Sequence, residues 1–304
     1  MVNALTVINS LGEQLRIELR NPRETGFAVK SITGLGPPKA NINTTEVITN
    51  DGSLYNSSRV NQRNIVISFL YLPVPTIEEV RQSSYKYFPI NKEVTLIVET
   101  DKRIAMTKGY VEANEPDIFS KQEGATISIV CPDPYFYLYG TDGVTVSVFR
   151  GVVSMFEFPF SNESLNENLI QLGAIQESTA QNIYYEGDSD VGMDIIMEAE
   201  GEVGDITIYK LTTREQMRLS SEKLAALTGS GLVKGDKVII KTSRGEKGVT
   251  LYRQGDEINI LNALDKGANW IRLTKGDNLI AYTTSRGGEY LNFWIENKVI
   301  YEGV

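Results

Sequence analysis

The chain has 304 residues, of which 41% are hydrophobic and 23% charged, a composition typical of globular domains rather than of disordered chains. It contains no histidine, which removes the commonest general base, the triads that depend on it and the usual zinc sites. The net charge of −9 is unevenly placed, because residues 1–139 carry 14 basic and 15 acidic side chains, whereas residues 140–304 carry 16 and 24.

These features limit the kinds of binding partner that we expect for this protein. The acidic second half should repel nucleic acid and anionic membranes at close range, and no apolar run approaches the ~20 residues of a membrane span. A single cysteine, Cys131, excludes an intramolecular disulfide and favours assembly in a reducing compartment. We therefore expect no membrane contact, no specific nucleic-acid binding and no cofactor.

The first half predicts short strands and one helix. Before residue 45, strands are predicted at residues 5–8, 15–19 and 27–32, separated by turns rich in glycine, asparagine and proline. Thr76 and Glu79 form a capping box, so a helix is predicted from there to about Phe88. A hairpin that turns at residues 100–103 and a strand at residues 125–130 follow.

Residues 51–72 are the most informative stretch of the first half. A turn and a polar segment lead into a strand in which every second residue from Ile65 to Tyr71 is apolar, the pattern of a half-buried strand. Arg59 and Arg63 lie at the start of this strand. The pattern predicts a scaffold strand that fills the core of the first domain, preceded by exposed groups that meet another protein.

The second half predicts a succession of short strands, typical of an antiparallel sandwich or jelly roll. They are residues 144–149, 152–158, 182–185, 193–197, 206–211, 237–242, 249–253, 279–283 and 290–301. One or two helical turns are predicted at residues 221–227. Two prolines in residues 131–137 and the change in charge density place the domain boundary between residues 139 and 140.

Two acidic clusters were weighed for chemistry. Glu198, Glu200 and Glu202 alternate, so a strand would place all three carboxylates on one face, as a glycosidase requires. Residues 186–194 supply carboxylates that calcium could use, but their spacing does not fit an EF-hand. Solvated acidic turns explain both clusters more simply, and we expect no catalytic or metal-ligating residue.

Six segments, in this order and spacing, resemble the distal tail proteins of long, non-contractile-tailed phages of Gram-positive bacteria. They are residues 32–38 (ITGLGPP), 51–67 (DGSLYNSSRVNQRNIVI), 131–137 (CPDPYFY), 234–242 (KGDKVIIKT), 270–278 (WIRLTKGDN) and 301–304 (YEGV). The resemblance covers essentially the whole chain. It implies a mainly β protein, with a ring-forming, tail-tube-like domain at 1–139 that carries one helix and a galectin-like β-sandwich domain at 140–304.

The resemblance also implies a structural role without catalysis. Six copies would form a ring at the tail tip of the virion, assembled in the host cytoplasm. This hub would join the tail tube protein to a tip protein, tail-associated lysin or fibre, with a central channel for DNA. Docking of a receptor-binding protein or of cell-wall carbohydrate would be compatible with it.

Candidate contacts follow from both lines of reasoning. The predicted ring or partner contacts are Asp51, Gly52, Tyr55, Arg59 and Arg63, and charge reversal at the two arginines is expected to weaken assembly without unfolding the monomer. The alternative function is a carbohydrate-binding, host-recognition module in the second domain, through Trp270, Trp294 and Tyr290, since sugars stack on exposed aromatic rings. A wall-degrading glycosidase that uses the three alternating glutamates is the third possibility.

Overall fold

The computed structural model describes residues 1–46, 51–140, 143–154, 173–177 and 179–304. They fall into two compact units. Unit 1 comprises Met1–Gly143 together with Ile300–Val304, and unit 2 comprises Val144–Val299. The described residues are mostly in strands, so the prediction of a mainly β fold is confirmed.

In chain order the described strands are β1 (Val2–Ile8), β2 (Gln14–Glu18), β3 (Phe27–Thr33), β4 (Ala40–Glu46), β5 (Ser53–Val60), β6 (Arg63–Tyr71), β7 (Glu93–Thr100), β8 (Ile104–Asp117), β9 (Gly124–Cys131), β10 (Phe136–Leu138), β11 (Val144–Ser154), β12 (Gly173–Glu177), β13 (Ala180–Tyr185), β14 (Met193–Ala199), β15 (Ile206–Lys210), β16 (Glu215–Leu219), β17 (Lys237–Lys241), β18 (Gly248–Arg253), β19 (Asp256–Asn259), β20 (Gly276–Thr284), β21 (Leu291–Lys298) and β22 (Ile300–Tyr301). The helices are α1 (Ile77–Tyr87) and α2 (Ser221–Thr228), with short 3-10 turns at Leu261–Ala263 and Gly288–Tyr290. Neither α1 nor α2 has the length and hydrophobicity needed to cross a membrane.

Unit 1 is built on an antiparallel sheet in the order β2-β1-β7-β8-β9-β6-β3, to which β10 and β22 add through β8. The apolar side chains of β6 fill its core as the alternation predicts, because Ile65, Ile67, Phe69 and Tyr71 are all buried. Phe69 lies between two other aromatic rings, with centroids 5.4 Å from Phe27 and 5.9 Å from Phe88.

Helix α1 covers this core where the capping box predicts it. The Thr76 hydroxyl accepts a hydrogen bond of 3.3 Å from the Glu79 backbone N–H, which satisfies a donor that the first turn leaves free. On the buried side of the helix, Ser84 accepts a hydrogen bond of 3.0 Å from the Tyr71 hydroxyl. The helix is therefore tied to the strand that carries the core.

Unit 2 contains two antiparallel sheets, one in the order β12-β11-β21-β14-β17-β18-β19 and one in the order β13-β20-β15-β16. Three aromatic side chains join them. The ring of Tyr282, from the smaller sheet, stacks on Phe293 of the larger sheet at 4.4 Å, and Phe149 packs edge-on against Phe293 at 5.1 Å. The two sheets thus share one apolar core, as a sandwich requires.

The predicted and observed elements differ at several places, and strands β10, β12, β16 and β19 lie where no strand was predicted. Residues 290–301 form a 3-10 turn and two strands rather than one strand, and the last strand, β22, belongs to unit 1 and not to the second domain. Strand β4 lies in a segment where no strand was predicted, and the polar segment before β6 is its partner β5. The predicted strand 152–158 is described only to Ser154, and residues 155–158 lie outside the described residues.

Candidate assembly surface

Strands β4 and β5 form a two-stranded ribbon that buries almost nothing in unit 1. Every residue of both strands is exposed except Val60, which is half-buried. Ile42, Leu54 and Tyr55 all leave large apolar surfaces in solvent, and Tyr55 is 64% exposed. A two-stranded ribbon without a packed face is marginal in water, so this element lacks the stabilisation that a covering surface would supply.

Backbone pairing joins the two strands of the ribbon, and polar side-chain contacts add to it. The Asn56 amide donates a hydrogen bond of 2.6 Å to the Thr45 hydroxyl across the strands, and the Tyr55 hydroxyl donates one of 2.9 Å to Ser58 on the same strand. The strand pairing shifts by one residue after Asn43, which is a β-bulge. These contacts shape the ribbon without burying its apolar side chains.

Four of the five predicted contact residues lie on the ribbon or at its turn. Tyr55 and Arg59 belong to β5, and Asp51 and Gly52 directly precede it; all four are exposed. The backbone of Gly52 has a φ of +90°, which a side chain would strain. Their role in a contact with another chain stays a prediction.

Arg63 does not fit the predicted surface contact. Its side chain is 3% exposed, and its guanidinium donates hydrogen bonds to four backbone carbonyls inside unit 1. The acceptors are the carbonyl oxygens of Gly34, Gly36, Pro134 and Glu302, at 2.5 to 2.7 Å. Charge reversal here would disrupt the fold, so the expectation of an intact monomer is wrong for Arg63.

The surroundings of Arg63 explain how a cation is buried without a carboxylate in contact. The ring of Phe136 lies 4.5 Å below the guanidinium carbon, a cation–π contact that adds to the four carbonyls. Burial lowers the pKa of the Arg63 guanidinium, but arginine stays protonated in proteins. The sequence signal that could have located it is the glycine and proline content of the two loops that supply its acceptors, residues 32–38 and 131–137.

The three aromatic residues predicted to contact carbohydrate have different surroundings. Trp294 is half-buried on β21, its indole N–H donates to Glu296 at 3.1 Å, and the Lys237 ammonium lies 5.4 Å from its ring. Trp270 is half-buried in a loop below Lys247, at 5.3 Å. Tyr290 is 47% exposed. Carbohydrate binding by these side chains stays a prediction.

The three alternating glutamates each contact a different polar partner. Glu198 pairs with the Lys237 ammonium at 2.9 Å, Glu200 accepts from an asparagine amide, and Glu202 accepts from Arg286. Each carboxylate has its own partner, and strand β14 ends before Glu200.

The acidic loop weighed for calcium is tied to a neighbouring segment. Asp188 pairs with the Lys275 ammonium at 3.2 Å, and the backbone carbonyl of Asp190 accepts a hydrogen bond from Arg272. Among the residues that the structure describes, no three acidic, cysteine or histidine side chains come together as a metal site.

Comparison with known proteins yields structural likeness only. No protein-family model matches the chain, and no curated protein matches it. The crystal structure of the Dit protein of phage SPP1, described as a paradigm of the hub adsorption apparatus in phages that infect Gram-positive bacteria, aligns over 97% of this chain and 98% of its own, with a TM-score of 0.59 and 10% identity. Two structures of the phage p2 baseplate in its activated conformation, with strontium and with calcium, cover the same fractions at 11% identity, with TM-scores of 0.38 and 0.39.

The chain therefore has the fold of the SPP1 Dit protein over 97% of its length. This agrees with the fold that the six sequence segments imply, although the two sequences share only one residue in ten. At that identity the likeness concerns the fold, and function has to be argued from the surface.

Proposed function

We propose that this chain is the structural hub at the distal end of the tail of a phage that infects a Gram-positive bacterium. Six copies form a ring through unit 1, and the ring joins the tail tube protein to the tip or baseplate proteins, with a central channel for DNA. The carrying observation is a fold shared end to end with the SPP1 Dit protein. The protein acts in the virion, at the tail tip, after assembly in the host cytoplasm.

The exposed ribbon supports self-assembly. Ile42, Leu54 and Tyr55 are exposed in the monomer. Covering them with another surface stabilises the assembled state by about 25 cal/mol per Å² of apolar area buried. Obligate assemblies commonly bury apolar surface of this kind. The ribbon and its turn, with Asp51, Gly52 and Arg59, form the ring contact in this proposal.

The proposed role is non-catalytic. The alternating glutamates, which were the strongest candidates for acid and base, each have a separate partner. The partners of a hub are proteins: the tail tube protein on one side, and a tip protein, lysin or fibre on the other. A receptor-binding protein would dock on the hub.

A second candidate function is recognition of cell-wall carbohydrate by unit 2. Tyr290 presents an exposed ring that a sugar could stack on, and this role is compatible with the first. Replacement of Tyr290 by Ala should then abolish binding to purified host cell wall. Equal binding by both forms, or no binding by the original protein, would remove this candidate.

The mass of the purified particle tests whether six copies form a ring. Six chains of 33.8 kDa give a particle of about 203 kDa, measurable by sedimentation. Tyr55→Asp should shift the particle to monomers without changing the thermal unfolding of the chain, and Tyr184→Asp, an exposed tyrosine of unit 2, is the matched control. A protein that stays monomeric both alone and with the tail tube and tip proteins of its phage would contradict the proposal.

A further inference from the structure

The loop between β8 and β9 holds an aromatic side chain entirely in solvent. Phe119 is 100% exposed, and its neighbour Ile118 is exposed as well. Contacts on either side fix this loop: the Ser120 hydroxyl donates a hydrogen bond of 2.6 Å to a backbone carbonyl within the loop, and Arg81 of α1 pairs with Glu123 at 2.9 Å. Because the loop around it is already ordered, an exposed Phe119 loses less conformational freedom on binding, and aromatic residues are common among those that dominate protein interfaces.

This loop and the ribbon lie at opposite ends of strand β6 in unit 1. Arg63, where β6 begins just after the ribbon, pairs with Cys131, whereas Leu70 near its end pairs with Gly124, directly after the loop. The strand has nine residues, which separates the two ends by roughly 25 Å. Two different apolar elements at opposite ends of one unit suit a head-to-tail contact between copies, the kind that closes a ring.

The charges of the two elements are compatible with such a contact. The loop carries exposed Asp117 and Lys121, and the ribbon carries exposed Asp51 near its turn and Arg59 near its base. Within the described part of the chain, none of these four side chains has an ion-pair partner. Glu46 is a further exposed acidic residue on the ribbon, so each element carries groups of both signs, and the acidic groups of one can pair with the basic group of the other.

We propose that the Phe119 loop docks on the β4–β5 ribbon of the neighbouring copy, with the Phe119 ring against the apolar face around Tyr55. The occupant of each element is therefore a second copy of this chain. The inference rests on the proposed ring and names the surface that the ribbon contacts.

Cysteine cross-linking tests this contact directly. The only native cysteine, Cys131, is buried, so single cysteines can be introduced at chosen positions. The Tyr55→Cys and Phe119→Cys proteins carry tags of different length, so that dimers of different composition separate by size. The two proteins are mixed and oxidised, and we expect a disulfide dimer that contains one copy of each. Leu11→Cys, at an 82% exposed position in the β1–β2 turn, replaces Phe119→Cys in the control and should not cross-link to Tyr55→Cys. Disulfides between two Phe119→Cys copies as abundant as the mixed dimer would overturn the proposal.

A second experiment tests the same contact without cysteine cross-linking. Phe119→Ala should raise the protein concentration at which half of the chains are assembled by at least about tenfold, as truncation of an interface anchor does, whereas Leu11→Ala should change it less than about twofold. If the original protein forms the ring and Phe119→Ala assembles equally well, this contact is wrong while the hub function stands. If the original protein forms no ring, the hub function itself fails.

Discussion

The Nη2 atom of Arg63 lies 2.6 Å from the backbone carbonyl oxygen of Glu302, although 239 residues separate them in the chain. Strand β22 pairs with β10 beside this contact, and the guanidinium of Arg103 lies 4.3 Å from the ring of Tyr301. Two arginines and one strand pair therefore hold the segment Ile300–Val304 in unit 1. Unit 1 is therefore built from two segments of the chain, one on each side of unit 2 in sequence.

The Arg63 contact predicts a large effect on the stability of unit 1. Arg63→Ala removes hydrogen bonds to four carbonyl oxygens, so we expect the free energy of unfolding of unit 1 to fall by more than about 3 kcal/mol. Arg59→Ala, at an exposed position four residues earlier, should change it by less than about 0.5 kcal/mol.

Cys131 reports on this unit. Its thiol is buried, and Cys131 lies opposite Arg63 on the neighbouring strand, so its reaction with a thiol reagent in increasing urea measures the opening of unit 1. The Arg63→Ala protein should react at a much lower urea concentration than the Arg59→Ala protein. Equal midpoints would show that the four carbonyl contacts contribute little to stability.

A second prediction concerns the segment Ile300–Val304. Its deletion removes the β10–β22 pair and two acceptors of arginine hydrogen bonds, so unit 1 should open at a lower urea concentration. Both tryptophans, Trp270 and Trp294, lie in unit 2, so the midpoint of tryptophan fluorescence should change little. Deletion of Val304 alone, which removes one backbone hydrogen bond, is the control. A parallel loss in both units would contradict this assignment of the segment.

The third prediction concerns how the stability of unit 2 depends on pH. Hydrogen bonds from Ser221 and from Arg218 lower the pKa of Asp205 from 3.8 to about 2. Because the folded pKa lies below the unfolded one, the carboxylate stabilises unit 2 by about 2 kcal/mol above pH 4, and this contribution disappears as the pH falls towards 2.

The measurement is urea unfolding followed by tryptophan fluorescence at pH 7 and at pH 2.5. Asp205→Asn should be less stable than the original protein at pH 7, and the difference should shrink at pH 2.5. Asp256→Asn, at an exposed position on β19, should show little difference at either pH. A gap for Asp205→Asn that stays the same at both pH values would rule out the carboxylate charge as its cause.

The sequence predicted the elements whose patterns have local causes. Burial of one face of β6 requires the alternation from Ile65 to Tyr71, and Thr76 and Glu79 mark the first turn of α1, so both were predicted from nearby residues. The ribbon lacks such a pattern, because neither of its faces is buried in the monomer. Strand β4 was missed for this reason.

Arg63 was misplaced for a different reason. Its charge and its position before a strand indicate a surface residue, whereas its burial depends on carbonyl groups from loops and from β22 far away in sequence. Because these acceptors are backbone carbonyls, the sequence marks them only indirectly, through the glycine and proline content of residues 32–38 and 131–137. The four ribbon and turn residues of the predicted contact do lie in solvent, where an assembly partner can reach them.

Electron microscopy of the purified particle shows whether unit 1 builds a ring of six copies. Class averages should show a six-fold ring with an open centre, and the Tyr55→Asp protein should give no rings at the same concentration. Averages without six-fold symmetry, or only single chains in the presence of the tail tube and tip proteins, would contradict the account.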